Sequence, residues 1–168
     1  ITAYFEKRGD LAGRRRIEEH NRLLFPAIRV HGGTVLKTIG DSIMASFPDE
    51  DHAVDAAIRM QKVLEVRNWE LPAEDKISIR IGINSGETIV EYGDAYGDSV
   101  NVASRICQKA VGDQVLCSET TFQALTRRQD IIRPHSRVAL KGKKEAVSLY
   151  EVDWRKANDP DGQLAPAL

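Results

Sequence analysis

The stretch "KISIRIGIN", residues 76–84, constrains this chain most. Isoleucines at 77, 79, 81 and 83 alternate with Ser78, Arg80, Gly82 and Asn84. On a strand, successive side chains point to opposite faces. One face of this strand is therefore β-branched and calls for a core. The other is polar or small and lacks bulk, so it reads as a face open to a ligand or a partner subunit.

The rest of the chain supplies what that strand needs. Residues 10–31 read as a helix: Leu11, Ile17, Leu24 and Ile28 recur at helical spacing, with arginines and glutamates opposite. Pro26 marks a kink or an end, and Gly32-Gly33 a break. Two short strands follow, "TVLKTI" and "DSIMASF", joined at Gly40. A second helix is expected over about 50–67, where Ala53, Ala56, Ala57, Met60, Val63 and Leu64 form one stripe and the acids at 49–51 favour the N-terminus. After 76–84 come a strand near 87–92, a helix over about 98–111, a short strand "QVLCS", a short helix capped by Ser118, and strands near 131–140 and 146–152. The order strand–helix–strand–strand–helix–strand predicts an α+β fold. Its core is ferredoxin-like (split βαβ), with additional C-terminal α/β elements and helices over one sheet face. One domain is expected over 1–156. The polar, Pro/Gly-containing "ANDPDGQLAPAL" at 157–168 is expected to be a disordered tail.

Composition narrows the function classes. Apolar residues make up 42% and charged residues 29% of the 168, as in a globular domain with a real core. The 24 basic and 25 acidic residues leave a net charge of -1, which gives no footprint for nucleic acid or an anionic membrane. Two cysteines without metal-type spacing argue against a disulfide scaffold or zinc site and suit a reducing, cytoplasmic setting. The chain opens on Ile1, inside what reads as a strand, so an upstream segment is expected, with membrane tethering through it left open.

Chemistry concentrates in two places. Val35, Lys37 and Ile39 share one face of a predicted strand, and a lysine between β-branched neighbours needs a partner or a route to water. Asp41 follows Gly40 at the turn. Alone, these read as an edge lysine and a turn aspartate. Downstream, Asn101 and Arg105 are four apart and share a helix face, with Asp94 shortly before them. An arginine fork suits phosphate oxygens, although an ordinary solvated helix face has the same spacing.

Together, "LKTIGDSIMASF", "IRIGINSGE", "GDSVNVASR" and "LKGKKEAVSLYEV" resemble, in this order, the catalytic domain of class III adenylyl/guanylyl cyclases. The resemblance covers about residues 1–152. It implies an adenylyl cyclase that turns ATP into 3′,5′-cyclic AMP and pyrophosphate. Lys37 and Asp94 look like the adenine-reading pair, Asn101 and Arg105 like the groups that position the ribose and stabilise the transition state. Arg80 and Lys141 look like ligands of the triphosphate, and the backbone near Tyr4 and Phe5 like its phosphate cup. Asp41 resembles the second of two metal-binding aspartates. The first would lie immediately before Ile1, whose carbonyl would also face a metal. Two divalent cations, Mg2+ or Mn2+, are implied, because hard carboxylate oxygens suit them and two-metal sites serve in-line phosphoryl chemistry. The resemblance also implies a head-to-tail homodimer whose active sites are shared between subunits, governed by an upstream sensor domain.

Two features depart from the family pattern. "ITAYF" lacks the usual Gly-Phe-Thr ending, and only seven residues separate Gly86 from Asp94, where many relatives have a longer arm. "GDAYG" is similar to a short-armed bacterial subgroup. Three readings stand: an adenylyl cyclase, a guanylyl or dual-specificity cyclase, and an inactive cyclase-like module that binds nucleotide and regulates an attached domain. The residue before Ile1 discriminates the last from the others. A diguanylate cyclase is set aside because Gly32-Gly33 is not followed by Asp-Glu-Phe. His20, His31, His52 and His135 show no metal-type spacing.

Overall fold

The first helix, α1, spans Asp10–Val30, and Leu24, Ala27 and Ile28 form its buried stripe. It runs through Pro26, because burial on both sides of the proline holds the helix where local propensity opposes it. A computed structural model describes residues 9–140 and 143–162. Strands β1 (Thr34–Ile39) and β2 (Ser42–Ser46) form a hairpin. Helix α2 spans Glu50–Arg67, and its N-cap Asp49 accepts from the His52 amide at 2.8 Å. β3 spans Ile81–Ile83, and a second hairpin pairs β4 (Ile89–Glu91) with β5 (Asp94–Tyr96). Helix α3 (Asp98–Lys109) leads to β6 (Val115–Ser118), then α4 (Glu119–Ala124), β7 (Ile132–Val138) and β8 (Val147–Val152).

The main sheet has the order β3-β6-β8-β7. β3 and β6 are parallel, joined by α3, and the other pairs are antiparallel. This is an α+β fold of mixed sheets with packed helices. All four β6 residues are buried, as in a strand covered on both faces. Val115 and Cys117 pack with Val54 and Ile58 of α2, whereas Leu116 packs with Val102 and Ile106 of α3.

The second face of 76–84 is therefore not open, contrary to the expectation. α3 lies against it. A Cβ on Gly82 would sit 2.3 Å from the Cys107 amide nitrogen and 2.8 Å from the Ala103 carbonyl oxygen, so the missing bulk is what lets the helix approach. The ladder is also shorter than the alternation suggests. Ahead of Ile81 the backbone is satisfied otherwise: the Asn68 side chain bonds both the amide and the carbonyl of Ile77, and the Asp113 amide donates to the Ile79 carbonyl at 2.7 Å.

The chain beyond 156 also departs from expectation as far as 162. Ala157 is buried, and Arg59 holds Asp159 at 2.6 Å and Asp161 at 3.1 Å. Packed chain thus extends past the expected boundary, fixed by two carboxylates on one guanidinium. Residues 163–168 lie outside the described residues. Among the described residues, no helix is long and apolar enough to cross a membrane.

Candidate functional site

Lys37 reaches its position through a bulge. Val35 pairs with Ala45, Lys37 with Met44 and Thr38 with Ile43, the register shifting between 35 and 37. Paired residues share a face, and Ile43 and Ala45 both pack on the α1–α2 core. Lys37 therefore lies on the face opposite Val35. The expected shared face of Val35 and Lys37 fails because the extra residue reverses the alternation. What remains beside Lys37 is Ile39, exposed on the same outer face.

Across from it stands Asp94, within β5 rather than in a loop. The β4–β5 turn uses Tyr92 and Gly93, with φ of 51° and 72°, the left-handed pair that a tight two-residue hairpin demands. The Lys37 ammonium lies 3.0 Å from Asp94 Oδ1 and 3.1 Å from Oδ2. With side chains 37% and 25% exposed, the pair is reachable from solvent. The Lys37 hydrogen bond, then the Ala95 amide, hold the Asp94 carboxyl below the usual aspartate range, and the Tyr96 hydroxyl adds to this. The pair presents one donor and one acceptor side by side, the complement of a heterocycle edge.

Gly40 has φ 59° and opens the two-residue turn before Ser42, with Asp41 exposed beside it. Asn101 and Arg105 lie on one face of α3, anchored from behind by Val102 and Ile106. Arg80 is exposed, and its guanidinium turns to the Gln108 carbonyl at 3.4 Å, at the far end of α3 from Asn101. Lys141, Tyr4, Phe5 and Ile1 lie outside the described residues, as does any aspartate ahead of Ile1.

For a divalent cation, the described residues offer Asp41 alone from the expected set. Its exposed carboxylate is the hard donor such an ion prefers, but no group of three His, Cys, Asp or Glu gathers among them. Asp41 thus fits as one ligand of a site completed by phosphate oxygens, water and residues beyond those described. A cavity of about 340 Å³ lined by Gln61, Leu64, Trp69, Asp113 and Trp154 holds none of these residues. Its walls are the ends of α2 and of the turn before β6, so it is not part of this constellation.

Several contacts at the head of α3 escaped the sequence reading. Lys143 pairs with Asp98 at the head of α3, and the Asn84 amide donates to the Ser99 carbonyl at 3.0 Å. Ser99 itself sits in the quoted "GDSVNVASR", but no local pattern marks it as a contact.

Comparison with known proteins follows this geometry. The family described as "Adenylate and Guanylate cyclase catalytic domain" matches residues 2–152. The chain is 37% identical over 145 residues to the terminal-differentiation-specific adenylate cyclase of Dictyostelium discoideum, covering 76% of this chain and 7% of that protein. It is 37% identical over 146 residues to an adenylate cyclase of Anabaena cylindrica, covering 75% of this chain and 29% of that one. It thus spans less than a third of the length of either relative. A crystal structure described as an adenylate/guanylate cyclase/hydrolase from Silicibacter pomeroyi superposes with a TM-score of 0.79 at 27% identity, covering 88% of this chain and 87% of that chain.

Proposed function

This chain belongs to the adenylate and guanylate cyclase catalytic domain family, and from that premise we propose that it is an adenylyl cyclase, converting ATP to 3′,5′-cyclic AMP and pyrophosphate. The observation that carries the choice of ATP is the Lys37–Asp94 pair at 3.0 Å. Adenine offers an acceptor at N1 and a donor at N6. Lys37 donates to the first and Asp94 accepts from the second. Guanine presents these in reverse order, leaving polar groups unpaired at a cost of about 1–3 kcal/mol each.

Asn101 orients the ribose and Arg105 meets the charge that grows on the α-phosphate as the ribose 3′-oxygen attacks it. The new O–P bond forms in line with the breaking bond to the β-phosphate oxygen. Pyrophosphate leaves, and the hydroxyl proton passes to solvent. Bound Mg2+ or Mn2+ would ease loss of that proton and neutralise phosphate charge, with Asp41 as one ligand. Arg80 and Lys141 would contact the triphosphate, as would the backbone near Tyr4 and Phe5. The working unit is a homodimer that closes over the Lys37–Asp94 face, a reading supported by Ile39, Ile89 and Tyr96, all exposed. An upstream sensor domain would govern it.

The test is a product assay on the chain extended upstream of Ile1, with manganese and either ATP or GTP, the nucleotides resolved by chromatography. Cyclic AMP from ATP, lost in Asp41→Ala, supports the reading. Cyclic GMP alone would reassign Lys37 and Asp94, and no cyclic product from a confirmed dimer would leave a nucleotide-binding module.

A further inference from the structure

The first turn of α3 is held in an unusual way. Its N-cap, Gly97, offers no side chain to cap the helix, and the helix residues buried in the core, Val102 and Ile106, come only after that turn. Neither capping nor burial fixes residues 98–101, yet Asn101 sits there.

Polar ties replace them: Lys143 pairs with Asp98, and the others converge on Ser99. Its hydroxyl donates to the Glu87 carbonyl at 2.8 Å and lies 3.0 Å from Thr88 Oγ1. Its carbonyl accepts from the Asn84 amide at 3.0 Å. Gly86 closes the seat: a Cβ there would lie 2.8 Å from the Ser99 Cβ. Three consecutive sides of one small residue are thus fixed by the segment that follows β3. This segment is itself anchored, since the Ser85 hydroxyl lies 2.8 Å from that of the fully buried Thr121.

We propose that Ser99 is a positioning residue, which seats the first turn of α3 on residues 84–88 and thereby sets where Asn101 presents its amide. The inference rests on the cyclase reading for the role of Asn101, and goes beyond it in naming what places that group. A helix start free to shift by an ångström would misplace Asn101 by as much, and displacements of that size cost on the order of 100-fold in rate.

The test is a double-mutant cycle in the active dimer, read by kcat, KM for ATP and thermal midpoint. Ser99→Ala should lower kcat by about 10- to 100-fold with KM changed little. In an Asn101→Ala background the same change should have almost no further effect on kcat, because Ser99 acts through Asn101. Gly86→Ala, which keeps the serine but crowds its Cβ at 2.8 Å and its Oγ at 3.5 Å, should reproduce the loss. Full multiplication of the two effects, or an unchanged kcat in Ser99→Ala, overturns the proposal. Amide hydrogen exchange separates this from failure of the cyclase reading. Should the unaltered protein make no cyclic nucleotide, that reading falls. Exchange at 98–102 then still decides the seat: faster in Ser99→Ala supports it, unchanged refutes it.

Discussion

Lys37 and Asp94 stand 57 residues apart in sequence and touch through both carboxylate oxygens, at 3.0 and 3.1 Å. The contact joins two hairpins that belong to neither the main sheet nor each other by backbone pairing. A half-exposed ion pair adds little to stability, so its worth lies in what it presents to a ligand. Lys37→Met should therefore leave the thermal midpoint nearly unchanged while lowering kcat/KM for ATP on the order of ten-fold. Parallel kinetics with GTP should show the ATP preference shrinking. An unchanged ratio of the two nucleotides would remove the pair from base recognition.

Acid should reach this pair late. The Asp94 carboxyl is held below its ordinary value chiefly by the Lys37 hydrogen bond. The contact is thus fully present above the ordinary aspartate value and is lost only as pH falls through the lowered one. A carbon-detected NMR titration of Asp94 should show this. In Lys37→Met its midpoint should move up toward the usual aspartate range.

Gly82→Ala should destabilise the fold by about 3 kcal/mol, the upper end of the range for overpacking. The added carbon meets backbone of Cys107 and Ala103, which no side-chain rotation relieves. Urea unfolding measures it, and a loss near zero would mean that α3 is not seated on β3 as closely as described.

Asp55 is nearly buried and carries both Arg127 and Arg128, the latter at 2.7 Å. Asp55→Asn should cost about 2 kcal/mol, less than a fully buried pair because Arg127 is half exposed. Denaturant midpoints at low and high salt would show the loss, with little salt dependence for the Arg128 share.

Burial pushes the Cys117 thiol up to about 12, and burial also raises Cys107. Both should therefore remain thiols at pH 8 and resist iodoacetamide in the folded protein. Mass spectrometry should find both modified once urea is present. Fast native labelling of Cys117 would contradict its buried position on β6.

Much of the framework is legible in the chain. α1, α2 and the β1–β2 hairpin fall close to their expected bounds, because helical stripes, an aspartate cap and a glycine turn are local signals. Lys37, Asp94, Asn101 and Arg105 stand out as candidates through their motifs, and the fold brings the first two into contact. Less legible was anything that depends on a partner far along the chain. The bulge that turns Lys37 away from Val35 exists only once β2 pairs with β1. The bare face of 76–84 looked vacant, since a glycine that admits a helix and one that leaves a gap read alike until α3 is in place.

The sequence by itself determined where most helices and strands fall and which family the motifs resemble, for these rest on residue type and short-range spacing. Tertiary structure alone decided which face each side chain takes, what covers Gly82, how Arg59 fastens residues 159 and 161, and how Ser99 seats the helix that carries Asn101. Those outcomes depend on hydrogen-bond partners and close approaches between distant segments, and no local propensity encodes them.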